Sequence, residues 1–496
     1  VSGGPLSAPS SGGPLSAPLS GAHAPASPGL RELQRRAILR MLRIDGGSDA
    51  DGDDDARGPP GSEGHAWKIL LYDAGTLPVL SSALSVRDLR GHGVTLHLDV
   101  MSDKREEVPD VPAVYFVRPD KKVLERIASD CGAAGGRGLY GRCHLNFVDK
   151  LGREAMEGFA KRLVRSDALH KIATVHDQYL DYVCPESRLF SLHQQKSFET
   201  YNSPSATAEG MEAAMEAVAH GLFSVVATLG SVPIIRCPRG GAPEMVGRKV
   251  ARMVAEHPQL GRGGAESGGG RPLLVLIDRN SDLVTPLHHT STYQALVDDV
   301  LDHRANRITV VEGGTKKTYD LDPDADPFFT AYKFSPFPEA IEANGIELAD
   351  VTRRVGEVKS KAQANGGVPD AVAAHPDAGT SDLASAVDSL PALLQRKKQL
   401  EMHTCVLQAA MTQVAQRDVP LYFEFEHELV TGHYKNDPAA AKQQLLDLVS
   451  HTGGGSAADK LRATAVYCLA TRASGADVDD ILTALTDAYE AAATAA

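Results

Sequence analysis

Residues 271–301 read RPLLVLIDRNSDLVTPLHHTSTYQALVDDVL. The stretch opens on an unbroken apolar run, Leu273 to Ile277, bounded by Pro272 and Asp278. A short run without alternation predicts a strand buried on both faces, as in parallel sheets covered by helices. Asp278, Arg279, Asn280, Asp282 and Pro286 follow as a charged turn. Tyr293, Leu296, Val297, Val300 and Leu301 then recur at helical spacing, with Ser291 or Thr292 as N-cap. Strand, charged turn and helix make a unit of an α/β fold, whose ligands gather at the carboxyl ends of parallel strands. Asp278 and Asp282 could therefore hold a metal or accept a proton. Alternatively they cap backbone groups and pair with Arg279 to hold a tight turn, the reading favoured here because the rest of a catalytic set is missing nearby.

Upstream, residues 68–72, 94–98, 111–117 and 144–148 read as strands with helical or turn-rich segments between them. That alternation predicts an open parallel sheet wrapped by helices. A helix is expected over 153–165, and 172–182 continues the pattern. A second α/β unit begins near Cys184, with a helix over 208–226, a strand over 232–237 and a helix over 242–257 leading into the organising strand. After His303 the pattern becomes mostly helical. Ile341, Leu348, Val351, Val355 and Val358 keep a three-four rhythm, broken by the Gly- and Pro-containing stretch 365–380. A second helix over 382–417 carries Leu383, Val387, Leu390, Leu394, Val406, Ala410 and Val414 on one side, with Pro391 expected to kink or restart it. The resulting hairpin, 338–417, either packs on the body or offers its stripe to partner helices. Residues 439–496 read as alanine-rich helix in two or three pieces.

At the other end, residues 1–28 are Ser, Gly, Pro and Ala with SGGPLSAP repeated at 2–9 and 11–18, a composition expected to be disordered. Leu30, Leu33, Ala37, Met41 and Ile44 form an apolar stripe among Arg31, Arg35, Arg36, Arg40 and Arg43. Such a basic amphipathic helix can lie on a membrane or belong to a transit peptide, and more often docks on its own protein. Residues 46–64 read as a solvated linker.

Composition narrows the function. The 496 residues imply about three domains. A net charge of −13 argues against a general nucleic-acid binder. The six cysteines are scattered without a C-x-x-C pair, which suggests free thiols in a reducing compartment and excludes a zinc site of that type. No apolar run approaches the roughly 20 residues that span a bilayer. G-x-G-x-x-G at 136–141 follows a helix and precedes a strand, the reverse of dinucleotide binding, so it reads as a loop. Asp320, Asp322, Asp324 and Asp326 alternate like a calcium loop, but Ala325 and Ala331 stand where glycine and glutamate are needed. His427 and His433 are six residues apart, not the four that would put two zinc ligands on one helical face. No metal or cofactor is expected.

The run DRNSDLVTPLHHTSTYQALVDDVL, residues 278–301, resembles the hallmark segment of the SM family, the syntaxin-binding Sec/Munc-like proteins of vesicle fusion, and most resembles its Sly-type ER–Golgi branch. RELQRRAILRML (31–42), HDQYLDYV (176–183), FSVVATLGSVPIIRC (223–237), SPFPE (335–339) and DSLPALLQRKK (388–398) are similar to that branch too, and the likeness covers roughly residues 30–490. The resemblance implies a three-domain arch: two open parallel-sheet α/β domains and a mainly helical domain inserted into the second. The expected division is a disordered N-terminal region with its short helix over 1–65, a first domain over 66–180, the first portion of a second over 181–306 and a helical third over 307–496. In the family the chain returns to complete the second domain. Here it stops at Ala496, so that part of the second domain, and the lid of the Sly-type branch, are expected to be missing and to leave an unpaired sheet edge.

The implied function is that of a cytoplasmic, monomeric SNARE-binding chaperone, not an enzyme, without cofactor. It would bind a syntaxin-type SNARE and other SNAREs of the ER–Golgi bundle, bind no nucleic acid, and meet ER and Golgi membranes only peripherally through partners. An N-terminal syntaxin peptide is expected to insert an aromatic side chain among Met156, Phe159, Ala160, Ile172 and Val175, a set that from spacing alone is an ordinary core stripe. Phe159 is bulkier than the small aliphatics of the family's site, and a charge there is expected to abolish most peptide binding while leaving the fold intact if the site is exposed. SNARE helices are expected on Leu383, Val387, Leu390 and Leu394. The rival reading is an α/β hydrolase or phosphotransferase using Asp278 and Asp282, against which stands the lack of a P-loop, nucleophile elbow or metal-spaced histidines.

Overall fold

The β-branched and aromatic runs of the first domain assemble into one parallel sheet: β1 (Lys68–Tyr72), β2 (Val94–Asp99), β3 (Ala113–Val117), β4 (Cys143–Phe147) and β5 (Ile172–Asp177), in the order β2-β1-β3-β4-β5. The computed structural model describes residues 28–44, 67–261, 271–304, 306–312, 314–364, 379–450 and 454–495, with side chains described except at 134–136, 261, 312, 361–364, 379–389 and 491–495. The expected disordered start, the linker 46–64 and most of the break 365–380 lie outside the described residues. Alternation along each strand sorts the core into two layers. Ile69, Leu71, Tyr115, Val117, Leu145 and Phe147 meet the helices Lys121–Gly136 and Arg153–Arg165. Leu70, Val114 and Phe116 meet the helices Leu30–Met41 and Leu77–Ala83. With both faces covered, β3 is buried at every residue.

The N-terminal helix docks on a face rotated from the expected stripe but sharing Met41 with it, and Leu30, Ala37 and Ile44 of the stripe pack against the same core. It buries Gln34, Ile38, Leu39 and Met41, whereas Leu30, Leu33 and Ala37 are only partly covered. Gln34 turns inward because its Nε2 donates to the Tyr182 carbonyl at 2.8 Å. Just after the helix, the Leu42 carbonyl accepts from the buried Lys68 ammonium at 2.7 Å.

The organising strand is shorter than expected and open on one side. Leu273–Val275 pairs in parallel with Ile234–Arg236 as a two-stranded sheet. Leu274, Leu276 and Ile235 pack on the helices Ala208–Leu229 and Gly241–Glu256. Leu273, Val275 and Ile277 point the other way and are more than half exposed. Burial on both faces is therefore corrected to burial on one, because a helical layer lies against a single face of this strand pair. Ala208–Leu229 is long and apolar enough to span a bilayer by length and composition. Its Met215, Ala219, Leu222 and Val225 are instead core residues shared with neighbouring elements.

The region after His303 holds an unexpected three-stranded antiparallel sheet, Asp302–Arg304, Arg307–Glu312 and Thr315–Asp320. Its buried apolar residues, Ile308 and Val310, sit against the hairpin's core. The hairpin helices are Phe337–Ala364 and Gly379–Gln416. The second runs through Pro391 without restarting. Packing along its partner helix offsets the one backbone hydrogen bond that proline removes. Four further helices, Val419–Thr431, Pro438–Ser450, Ala457–Thr471 and Gly475–Ala495, close a separate core around Tyr422, Phe425, Leu445 and Val466.

Candidate functional site

At the carboxyl end of the first sheet, between β1 and β3, the crevice where open α/β folds bind ligands is filled by the chain's own side chains. Asp73 accepts from the backbone N–H groups of Gly75, Thr76 and Arg118. The Arg118 guanidinium forks onto Asp181 at 2.5 and 3.2 Å, and it lies so close that a Cβ on Gly75 would overlap it. Burial pushes the Asp181 carboxyl up despite that partner.

The hallmark turn is likewise satisfied by itself. Asp278 accepts from Asn280 N–H at 2.8 Å, and Asp282 accepts from Val284 and Thr285 N–H at 3.1 and 3.0 Å. The Arg279 guanidinium donates to the Asp282 carbonyl. Hydrogen bonds from Thr285 and Val284 hold the exposed Asp282 carboxyl below its usual range. Among the described residues no group of three or more His, Cys, Asp or Glu side chains is arranged to hold a metal.

The rest of the hallmark stretch is a spine that fastens the helical region. His289 is fully buried, with Nδ1 at 2.8 Å from Glu426 and Nε2 at 3.1 Å from Asp459. Its backbone N–H also donates to Glu426 at 2.6 Å. Burial alone would lower the imidazole, but the hydrogen bonds to Asp459 and Glu426 outweigh it and raise it. Asp459 also receives Arg417 and caps its own helix through Ser456. Against the upward push of burial, His289, Arg417 and Ser456 hold its carboxyl far below the usual range. Asp299 takes Arg462 at 2.7 Å and Arg417 at 3.2 Å. Tyr293 Oη lies 2.8 Å from His403 Nδ1, and His403 Nε2 lies 2.9 Å from Asp326. Tyr293 N–H donates to the Ser335 carbonyl and Phe337 N–H to that of Ser291, which joins the stretch to SPFPE. Sequence reading missed Glu426, Asp459, Arg417 and His403; their one local signal was polar residues standing on otherwise apolar helical faces.

The five residues expected to receive a peptide come from two neighbouring elements. The helix Arg153–Arg165 presents Met156, Phe159 and Ala160 with the i, i+3, i+4 spacing of one face. A turn with Asp167 in the left-handed region returns the chain into β5. There Ile172 and Val175 lie opposite Cys143 and Leu145 of β4, on the face that the helix covers. Asp177 ties the two elements, accepting from Leu151 N–H at 3.1 Å. Met156 is 44% exposed and Val175 42%, Ala160 and Ile172 are half-buried, and Phe159 is 4% exposed within the main core. Of the set, Phe159 is thus a buried floor within the core, and Met156 and Val175 are an exposed apolar rim beside an edge strand. The expectation that a charge at Phe159 would spare the fold is corrected by that burial.

On the hairpin, Leu390 packs into the core and Leu394 is 41% exposed. Leu383 and Val387 belong to the same helix, and their side chains lie outside the described residues. Ile341 and Ile346 add exposed apolar surface to the first hairpin helix.

A family model described as Sec1 family matches residues 68–494. The chain belongs to the Sec1 family. It is 36% identical over 490 residues to Sec1 family domain-containing protein 1 of Homo sapiens, covering 92% of this chain and 73% of that one. It is 38% identical over 457 residues to the SEC1 family transport protein SLY1 of Oryza sativa subsp. japonica, covering 89% and 69%. Among solved structures it is similar to Sly1p in complex with an N-terminal peptide of Sed5p, with a TM-score of 0.69 and 27% identity over 92% of this chain and 71% of that one. The SM protein Vps45 in complex with the Qa SNARE Tlg2 shares the fold at a TM-score of 0.68 and 20% identity, covering 93% and 75%. This Sec1-family chain is therefore of the Sly type, with the arch-forming α/β and helical architecture that the resemblance implied.

Proposed function

We propose that this Sec1-family chain is a SNARE-binding chaperone of ER–Golgi and intra-Golgi vesicle docking and fusion, and that it works without making or breaking a covalent bond. It holds a syntaxin-type SNARE at two places, the N-terminal peptide on the apolar rim of the first domain and the SNARE helix on the hairpin. A surface that keeps partner helices in register removes part of the entropy cost of their meeting. The observation that carries this reading is the exposed apolar pair Met156 and Val175 beside the edge strand β5, in a chain similar to a Sly1p solved with an N-terminal peptide of Sed5p. The chain acts in the cytosol as a monomer, associated peripherally with ER and Golgi membranes. The Asp278–Asp282 turn is held by its own hydrogen bonds, and Arg118 fills the crevice of the first sheet.

The proposed domain plan is 66–180, 181–306 and 307–496, with the sheet Asp302–Asp320 bridging the last two. The deciding experiment titrates fluorescent N-terminal syntaxin peptides against this chain and a Met156→Asp variant. One aromatic anchor is worth roughly 1.5–3 kcal/mol, so the variant should bind about 10- to 100-fold more weakly. Equal affinities would remove this rim from the binding site.

A further inference from the structure

Tyr179 has a left-handed backbone, φ 51°, which a bulky side chain adopts only where its surroundings impose it. The chain is pinned on both sides of it. Gln178 N–H donates to the Phe147 carbonyl and Leu180 N–H to that of Val148, both at 2.8 Å. In a regular parallel ladder both strands advance two residues between such bonds, whereas here the β4 side advances one. Tyr179 is therefore an extra residue, a bulge that turns its side chain out of the ladder. The side chain is aimed at two helices. Its ring stands edge-on to Phe223 of Ala208–Leu229 at 5.1 Å and to His257, the C-cap of Gly241–Glu256, at 5.3 Å. His257 Nδ1 lies 2.7 Å from the Met253 carbonyl, which can only accept, so in the neutral ring Nε2 accepts from the Tyr179 hydroxyl at 3.1 Å. Phe223 and His257 also touch, with ring centroids 4.8 Å apart, so three rings close one clamp.

The clamp is four residues along the chain from Val175 on the rim. The segment between them is stiff: Asp177 accepts from Leu151 N–H at 3.1 Å, and Gln178 Nε2 donates to Asn146 at 2.7 Å. A shift at Val175 therefore reaches Tyr179 and is not absorbed on the way. The bulge supplies two states, Tyr179 held left-handed by the clamp or relaxed into extended backbone with its ring withdrawn. We propose that this clamp couples the rim of β5 to the helices Ala208–Leu229 and Gly241–Glu256, so that a peptide on the rim tightens their packing. This coupling rests on the rim being the peptide site and adds a regulation to it. It is reciprocal, so opening the clamp weakens peptide binding by the same factor.

The test combines titration of a fluorescent N-terminal syntaxin peptide with hydrogen exchange of residues 219–228 and 246–256, in the wild type, Tyr179→Gly and His257→Ala. Glycine takes the left-handed backbone without strain, so Tyr179→Gly keeps the bulge and opens the clamp. His257→Ala opens it from the other side without touching β5. Saturating peptide should slow exchange in both segments of the wild type and in neither variant. Both variants should bind the peptide at least about fivefold more weakly, the lower end of usual allosteric coupling. Unchanged exchange in the peptide-saturated wild type would overturn the coupling and leave the rim as the binding site; that measurement decides even where a substitution unfolds the protein. An affinity loss confined to Tyr179→Gly would place the effect in β5 alone and overturn the clamp. Absence of peptide binding to the wild type would sink the rim reading and the coupling with it.

Discussion

Arg31 and Asp322 form a two-pronged ion pair, with guanidinium nitrogens 2.7 and 2.9 Å from the two carboxylate oxygens. Asp324 takes a further bond from the same side chain at 3.0 Å, and Arg31 Nε donates to the Ser82 carbonyl at 2.8 Å. The alternating aspartates that fail as a calcium loop are thus the socket for the N-terminal helix. At the far end of that loop, Asp326 caps the helix Pro327–Tyr332 and holds His403 of the hairpin. One short acidic loop therefore couples the N-terminal helix to the hairpin proposed to seat SNARE helices.

Replacing Arg31 with alanine should lower the unfolding free energy by about 1.5–3 kcal/mol, the usual worth of a hydrogen bond to a charged group. Arg31→Lys should recover only part of it, because a single ammonium cannot fork onto both oxygens. Urea denaturation of the three proteins gives the order. An unchanged midpoint in Arg31→Ala would mean that water replaces the pair at no cost.

The buried imidazole between Glu426 and Asp459 gives stability a defined pH dependence. Folding raises the His289 value, so its contribution is complete below the unfolded imidazole value of about 6.5 and is lost as pH rises through the raised folded value. Folding lowers the Asp459 value, so its contribution is complete above about 3.9 and is lost only as pH falls through the depressed folded value. Stability should therefore fall on the alkaline side, as a neutral His289 ring can donate to only one of the two buried carboxylates. His289→Gln should cost about 3–5 kcal/mol near neutrality and flatten that alkaline decline. Melting temperatures of both proteins from mildly acidic to alkaline pH check the two effects together.

Tyr293 lends its hydroxyl to a fully buried histidine, so the pair cannot exchange it for water. Tyr293→Phe should cost about 1–3 kcal/mol by orphaning His403 Nδ1. The far side of His403 keeps Asp326, so the hairpin should stay docked. Hydrogen exchange of residues 400–410 should rise modestly and uniformly; local exchange as fast as that of a peptide would show that the tyrosine carries the whole contact.

Legibility in the sequence follows the range over which the information acts. The helix Arg153–Arg165 is recoverable to the residue, because its apolar period and its turn partners lie within one element. The strands β1 and β3 of the first domain are legible because covering both faces makes them nearly uninterrupted apolar runs. The sheet Asp302–Asp320 was not, since Thr315–Asp320 is almost wholly exposed and reads as polar loop. The N-terminal stripe gives only part of the docked face, because Gln34 owes its buried place to a carbonyl 148 residues away. Glu426 and Asp459 lie 137 and 170 residues from His289, and no local pattern announces such a meeting. The peptide-site residues could be named from the family resemblance; which of them is floor and which is rim depends on packing.

That division into floor and rim yields the sharpest mutational contrast. Phe159 packs among Leu145, Phe147, Leu151 and Leu163, so Phe159→Arg puts an unpaired charge into the core and should cost at least the roughly 3–5 kcal/mol of a large core truncation. Loss of peptide binding in that variant would then report unfolding. Met156 and Val175 are more than two-fifths exposed, so Met156→Asp and Val175→Asp should melt within a few degrees of the wild type. Both should still lose about 10-fold or more in affinity for a syntaxin N-terminal peptide. Val175 stands on an edge strand, where its change also reports whether the peptide runs along β5. Calorimetry and peptide titration on the same samples separate the two effects. A stable, folded Phe159→Arg protein would contradict the buried floor, and full affinity in both rim variants would move the peptide elsewhere.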